Sequence, residues 1–243
     1  MPVHVAFTPS DEAAARVGIV VDVIRASSSI AQALASGYER VLCCREIEEA
    51  NALRAALGDQ AVVGGERNGV VVDGFDVGAS PREFAQGAKA PTLILSTTNG
   101  TSAILTAAAR CEMVLVGSLL NLSALVEAAG QDGDVAVYCA GFKGGFALDD
   151  AYCAGRIVAA LPGERTDAAR AAELLAHSFA TAQEAFDVRT YGPPGLEADI
   201  AWCAQEDLLD TVPRFVRMEG PAAEIMAWEA VAIPSESGNT LSG

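Results

Sequence analysis

Apolar residues in this chain fall into two recurring patterns. Short runs at 18–23, 40–44, 61–63, 92–95, 114–116 and 135–139 are continuous and rich in β-branched residues, as in strands buried on both faces. Between them lie alanine-rich stretches with apolar residues at helical spacing, at 30–35, 46–57, 103–109, 123–129 and 148–161. A short strand at 3–7 precedes them. Beyond them the pattern predicts one long helix over 164–185, a loop over 187–195, a helix over 198–209 and an extended piece at 212–216. Strand–helix alternation of this kind predicts an α/β fold, a three-layer α/β/α sandwich around a largely parallel or mixed sheet. One domain is expected over 1–233. The polar stretch 234–243, with its Ser, Gly and Asn, reads as a flexible tail.

The pattern also hints at duplication. Ile30 and Ile104 lie 74 positions apart, and at that offset Val41-Leu42 meets Leu115-Val116 and Val63 meets Val137. Two similar strand–helix halves, about 18–66 and 92–140, are therefore expected.

The segment 20–30 is where apolar pattern gives way to chemistry. Asp22 interrupts a buried strand near its carboxyl end, Arg25 follows, and Ser27, Ser28 and Ser29 supply hydroxyls expected to cap the next helix. In an open α/β sheet, ligands bind at such strand-to-helix turns, and a helix N-terminus beside an arginine suits an anion. Other polar turns fall at strand ends or helix starts: Glu66-Arg67, Asp76, Thr97-Thr98-Asn99-Gly100, Lys143 and Asp149-Asp150. In a parallel sheet these can converge on one edge.

Charge sharpens this reading. The formal net charge is −16, which disfavours nucleic acid and anionic membrane as partners. An anionic substrate then needs a locally positive site, so the few basic residues near glycine-rich turns, Arg25, Arg67, Arg82 and Lys143, carry more information than the acidic ones. The chain has only two histidines, His4 and His177, so a His-based triad or a His-rich metal site is disfavoured and hard oxygen ligands remain. Its six cysteines form no C-x-x-C pair and read as buried thiols of a reducing compartment. With neither a membrane-spanning run nor a secretory signal in the sequence, the cytoplasm is expected. Carboxylates at the strand ends would hold a divalent cation such as Mg²⁺, which takes one or two protein carboxylates and fills its octahedron with water and substrate oxygens.

Several segments together resemble the 2-phosphosulfolactate phosphatase family. They are Asp22-Val23-Ile24-Arg25-Ala26-Ser27, Gly65-Glu66-Arg67, Gly74-Phe75-Asp76-Val77-Gly78-Ala79-Ser80-Pro81, Thr97-Thr98-Asn99-Gly100-Thr101 and Gly117-Ser118-Leu119-Leu120-Asn121. Asp150-Ala151-Tyr152-Cys153-Ala154-Gly155 and Asp210-Thr211-Val212-Pro213 resemble its later motifs. The resemblance covers roughly residues 1–217. It implies a Mg²⁺-dependent phosphatase converting 2-phospho-3-sulfolactate to sulfolactate and phosphate, a reaction of coenzyme M biosynthesis in some organisms. Two positions depart from the family pattern. Ala79 stands where Asn is more usual, and Asp149 where Glu usually precedes the Asp, so the acid or metal role is carried over to Asp150 rather than to Asp149.

The expected roles follow. Asp22, Glu66, Asp76 and Asp150 share metal binding, and Asp22, Arg25, Glu66 and Arg67 carry the chemistry. Arg25, Arg67 and Lys143 stabilise the phosphoryl charge or hold the sulfonate, while Ser27, Ser28, Thr97, Thr98, Asn99 and Gly100 bind the substrate. Attack by metal-bound water and attack by an aspartate both remain open, and so does a homodimer. A non-catalytic binding module for a phosphorylated or sulfonated acid would need the arginines without the acidic residues. Another α/β enzyme acting on phosphorylated acids would use the same anion site.

Overall fold

The structure, a computed structural model, describes residues 1–130, 133–190 and 194–228. In chain order the elements begin with β1 (Pro2–Ala6), β2 (Ala15–Val21), α1 (Ala26–Ala35), β3 (Arg40–Cys44), α2 (Ile47–Leu57), β4 (Ala61–Arg67) and β5 (Val70–Val71). Then come α3 (Pro81–Phe84), β6 (Thr92–Ser96), α4 (Gly100–Ala108), β7 (Cys111–Gly117), α5 (Leu122–Ala129), β8 (Val135–Cys139) and α6 (Leu148–Ala160). The chain continues through β9 (Glu164–Arg165), α7 (Asp167–His177), α8 (Ala182–Asp187), α9 (Glu197–Cys203), β10 (Pro213–Glu219) and β11 (Ala222–Ala227). The expected tail, 234–243, lies outside the described residues, as do the last residues of the domain expected over 1–233.

The strands form one mixed, mostly parallel sheet in the order β5-β4-β6-β3-β11-β10-β7-β2-β8-β1-β9. Two parallel blocks, β4-β6-β3 and β7-β2-β8-β1-β9, flank the antiparallel hairpin β10-β11. Each block takes an inner strand from the other half of the chain: β6 lies between β3 and β4, and β2 between β7 and β8.

Helices cover both faces. On one, Ile30 and Ala33 of α1 and Ala103, Ile104 and Ala107 of α4 pack over Val20, Val41, Val116 and Ile225. On the other, α2 covers Leu42, Val63 and Ile94, while α5 to α8 cover Ile19, Leu115 and Val137. The continuous apolar runs follow from burial on both sides. Ile19, Leu93, Ile94 and Leu115 are all buried to 1% exposure or less, and each such side chain contributes roughly 1.5–3 kcal/mol. Among the described residues, no helix is long and apolar enough to cross a membrane.

Two expectations are corrected here and a third is extended. The single helix over 164–185 is instead β9, α7 and α8. Glu164 and Arg165 pair with β1, and Thr166 and Thr181 restart the helix by accepting the Ala169 and Glu184 N–H groups. The helix expected at 198–209 is shorter, Glu197–Cys203. The extended piece at 212–216 proves to be one arm of the central hairpin, whose second arm the apolar pattern did not reveal. A bulge between Phe215 and Arg217 breaks its alternation. One of its faces also carries ion pairs instead of apolar side chains: Arg40 to Glu219 (2.7 Å) and Glu224 (3.0 Å), and Arg217 to Glu224 (3.0 Å).

Candidate active site

Parallel strands deliver their carboxyl ends to one edge, and the polar turns meet there. From β2 the chain turns into α1, which runs against β7 and β3; from β6 it turns into α4, which crosses over β2 and β7. The two helix N-termini meet where Ala26 faces Gly100. A Cβ on Gly100 would lie 2.7 Å from the Ala26 Cβ, 3.1 Å from Asp22 Oδ2 and 3.3 Å from Thr97 Oγ1. Gly100 therefore serves the site through its missing side chain.

Beside this contact opens a cavity of about 550 Å³. Asp22, Glu66 and Asp149 bring carboxylates to it; Arg25, Lys143 and Arg189 bring cations. Asn68, Thr97, Thr98 and Asn99 add neutral polar groups. Asn68 and Lys143, both at φ 52°, hold left-handed backbone, which favours glycine; the cavity is thus bordered by two locally strained turns. The Lys143 ammonium sits 5.3 Å from the centre of the Phe142 ring.

Asp22 is almost fully buried, and its pKa is raised to about 7. Burial is the main cause, followed by the negative charges of Asp149 and Glu66; a bond from the Ala26 N–H and the charge of Arg25 oppose the shift. Glu66 ties two turns together: Oε2 accepts the Gly69 N–H (2.6 Å), and Oε1 accepts the Thr98 N–H and hydroxyl, each at 2.9 Å. Arg25 donates from Nη1 to Asp199 Oδ2 at 2.6 Å, and its Nη2 lies 3.5 Å from the Gly69 carbonyl.

Of the expected site residues, the structure brings Asp22, Arg25, Glu66, Thr97, Thr98, Asn99 and Lys143 to the cavity with Gly100 packed beside them, and the others serve elsewhere. Asp76 pairs with Arg54 and accepts the Val63 N–H, holding its loop to α2 and β4. Arg67 spends its guanidinium on Ser96 Oγ and on the carbonyls of Glu66, Ser96 and Arg45. Ser27 and Ser28 do not cap α1, whose N-cap is Arg25; Ser27 Oγ accepts the Asp22 N–H, and Ser28 Oγ donates to the Val23 carbonyl. Ser29 reaches the Ala79 carbonyl (2.7 Å).

Asp149 and Asp150 exchange the places assigned to them. Consecutive helix residues point about 100° apart, so only one can face the cavity. That one is Asp149. Asp150 instead accepts the Val23 and Gly141 N–H groups, both at 2.9 Å, clamping the β2 and β8 ends together. Its pKa is raised by burial, then by the charges of Asp149 and Asp22.

Sequence reasoning missed Asn68, Arg189 and Asp199. The Asn68-Gly69 dipeptide is a turn signal. Arg189 is a scarce cation ahead of a Gly/Pro-rich loop, and it could have been singled out as Arg25 was. Nothing in the sequence near Asp199 points to the site. All six cysteines are free. Burial pushes the thiols of Cys44 and Cys203 up to about 12 and raises those of Cys139 and Cys153, so thiolate chemistry is disfavoured.

The four carboxylates expected to share a metal do not converge. Among the described residues, no group of three or more His, Cys, Asp or Glu forms a ready metal cage. Two carboxylates that line the cavity nonetheless fit Mg²⁺, which keeps water and substrate oxygens in its shell. Asp22 and Asp149 both reach the cavity, and the charge of Asp149 raises the pKa of Asp22, a repulsion that a cation would relieve.

Comparison with known proteins gives a consistent relationship. The sequence model of the 2-phosphosulpholactate phosphatase family matches residues 4–217. A probable 2-phosphosulfolactate phosphatase of Thermotoga petrophila is 36% identical over 221 residues, 88% of this chain and 95% of the relative. One of Pseudothermotoga lettingae is 37% identical over 223 residues, 88% and 96% of the two chains. One of Clostridium acetobutylicum is 33% identical over 218 residues, 84% and 91%.

Proposed function

The chain belongs to the 2-phosphosulfolactate phosphatase family, and from that premise we propose that it hydrolyses 2-phospho-3-sulfolactate to 3-sulfolactate and phosphate, with Mg²⁺ as cofactor. The observation that carries the reading is the division of charge around one cavity, with Asp22, Asp149 and Glu66 facing the same space as Arg25, Lys143 and Arg189. A binding module for an anion would gain from the cations and lose from buried carboxylates. A phosphatase has a use for both.

Asp22 and Asp149 would hold the cation, which would supply charge neutralisation for the phosphoryl group and its leaving oxygen. Arg25 and Lys143 face the same space and would bind the equatorial phosphoryl oxygens or the substrate's sulfonate. Glu66 holds the turn carrying Thr97, Thr98 and Asn99 in place, so that the Thr97 hydroxyl and the Asn99 amide orient the remaining oxygens. In metal-free protein burial and the charges of Asp149 and Glu66 hold the Asp22 pKa near neutrality, and a bound cation would keep the carboxylate ionised.

The test is phosphate release from 2-phospho-3-sulfolactate by protein treated with EDTA, before and after Mg²⁺ is restored. Release that depends on Mg²⁺ supports the reading, and full release by metal-free protein removes the cofactor from it. Tight binding of the substrate without any phosphate release would favour the binding module.

A further inference from the structure

Behind Arg25 lies a carboxylate that does not itself line the cavity. Asp199, on α9, is 5% exposed; each oxygen accepts one hydrogen bond, and Arg82 Nη1 also stands 3.9 Å from Oδ1. Oδ2 accepts from Arg25 Nη1 and Oδ1 from the Ser80 hydroxyl, each at 2.6 Å. The side chains of Arg25 and Asp199 are 10% and 7% exposed. Ser80 adjoins Ala79, whose carbonyl accepts the Ser29 hydroxyl of α1. The guanidinium and the helix that starts beside it are thus anchored to the same short segment ahead of α3.

We infer that Asp199 is a positioning residue: it fixes the plane of the Arg25 guanidinium so that the remaining N–H edge faces the cavity. This inference rests on the phosphatase reading above. A guanidinium carries five N–H donors in a rigid fork, and holding one edge fixes the direction of the others. A site needing only positive charge would gain nothing from a carboxylate at 2.6 Å, which partly neutralises it. A site needing two aligned donors on a phosphoryl or sulfonate group gains orientation from that contact. Pairing also removes the penalty of a buried, unpaired arginine when the cavity is empty.

The test combines Asp199→Asn, Ser80→Ala and Arg25→Ala in a double-mutant cycle. With 2-phospho-3-sulfolactate, Asp199→Asn should lower kcat/KM about 10- to 100-fold, and Ser80→Ala less. In the Arg25→Ala background, Asp199→Asn should cost nothing further. Millimolar guanidinium ion should partly rescue Arg25→Ala, and that rescue should be lost when Asp199→Asn is added. Independent losses in the two variants, or rescue that ignores residue 199, overturn the inference in favour of an ion pair that only docks α9. If Asp199→Asn does not fold, the cycle of Ser80→Ala with Arg25→Ala decides on the same criteria. Affinity for inorganic phosphate, read by thermal shift, separates the two levels. Coupled losses of phosphate affinity in a protein that releases no phosphate from the substrate keep the positioning role and reject the phosphatase reading. Wild-type kcat/KM and wild-type phosphate affinity in Asp199→Asn reject the positioning role alone.

Discussion

The turn after β2 and the turn after β6 each lead from the carboxyl edge of the sheet into a helix, and the two helices meet at Ala26 and Gly100. At the offset of 74 positions, Asp22 corresponds to Ser96, Arg25 to Asn99, Ala26 to Gly100 and Ser27 to Thr101. The first turn presents a carboxylate and a guanidinium to the cavity. The second presents Thr97, Thr98 and Asn99, and a carboxylate borrowed from β4 holds it. Two strand-to-helix turns at one edge of the sheet thus carry unlike chemistry. Charge that can titrate or bind a cation sits on one turn, and neutral donors that can only orient sit on the other. Even the small residues divide the work, since Ala26 fits only because Gly100 has no side chain.

The sharpest way to break this comparison is to remove the charge of the first turn. Asp22→Asn keeps the shape and still accepts the Ala26 N–H, so the fold should survive with a melting temperature equal to or above the wild type. Phosphate release should fall about a thousandfold, since losing ~4 kcal/mol of barrier lowering has that effect. Retained turnover would move Asp22 out of the reaction, leaving Asp149 and Glu66 as the carboxylates that line the cavity.

The same carboxylate should show in stability. Its pKa rises from 3.8 when unfolded to about 7 when folded, so the native state holds a proton there that the unfolded chain releases. Metal-free protein should then lose stability as pH rises from about 4 to about 7, by a few kcal/mol, and level off above that range. Chemical denaturation across that window in EDTA measures it. Asp22→Asn should flatten the slope without abolishing it, because Asp150 is raised by the same burial. Added Mg²⁺ should flatten it from the alkaline side. A slope unchanged by the substitution would assign the titration elsewhere.

Much of this was legible in the sequence, and the part that was not has physical causes. Strands buried on both faces leave continuous apolar runs, so the parallel blocks could be read directly. The central hairpin could not, because its bulge and its Arg40–Glu224–Arg217 cluster replace the apolar alternation that marks a strand. Asp22 and Arg25 were readable as charges at the end of a buried run. Asp76 and Arg67 share that sequence signature but serve as loop anchors, and only their partners Arg54 and Ser96 reveal this. Asp149 and Asp150 are adjacent acids that the helical turn separates, and Asp199 reaches the site from 174 positions away.

A smaller effect is expected where the two turns touch. Gly100→Ala places a methyl group 2.7 Å from the Ala26 Cβ, and the helices must part to admit it. Overpacking of this kind costs roughly 1–3 kcal/mol. Because Asp22 Oδ2 is also crowded, kcat should fall with the melting temperature. Adding Ala26→Gly removes the methyl-to-methyl clash and should recover part of both losses. No recovery would mean that the crowding of Asp22, not the helix contact, sets the requirement for glycine.

The smallest expected effect tests whether the second turn only orients. The Thr98 hydroxyl and N–H both donate to Glu66 Oε1, so the hydroxyl is occupied inside the protein. Thr98→Val keeps the shape and the N–H bond while removing the hydroxyl. One hydrogen bond of this kind contributes about 0.5–1.5 kcal/mol, so stability should fall slightly and kcat/KM by no more than severalfold. If the Thr98 hydroxyl instead leaves Glu66 to bind a charged substrate oxygen, the lost bond is the stronger, charge-assisted kind. KM would then rise roughly 10- to 100-fold while the melting temperature stayed nearly unchanged. Steady-state kinetics and thermal melting on this one variant separate the two outcomes. The second would show that Thr98 joins Thr97 and Asn99 in holding substrate oxygens, so that the second turn supplies a charge-assisted bond and not orientation alone.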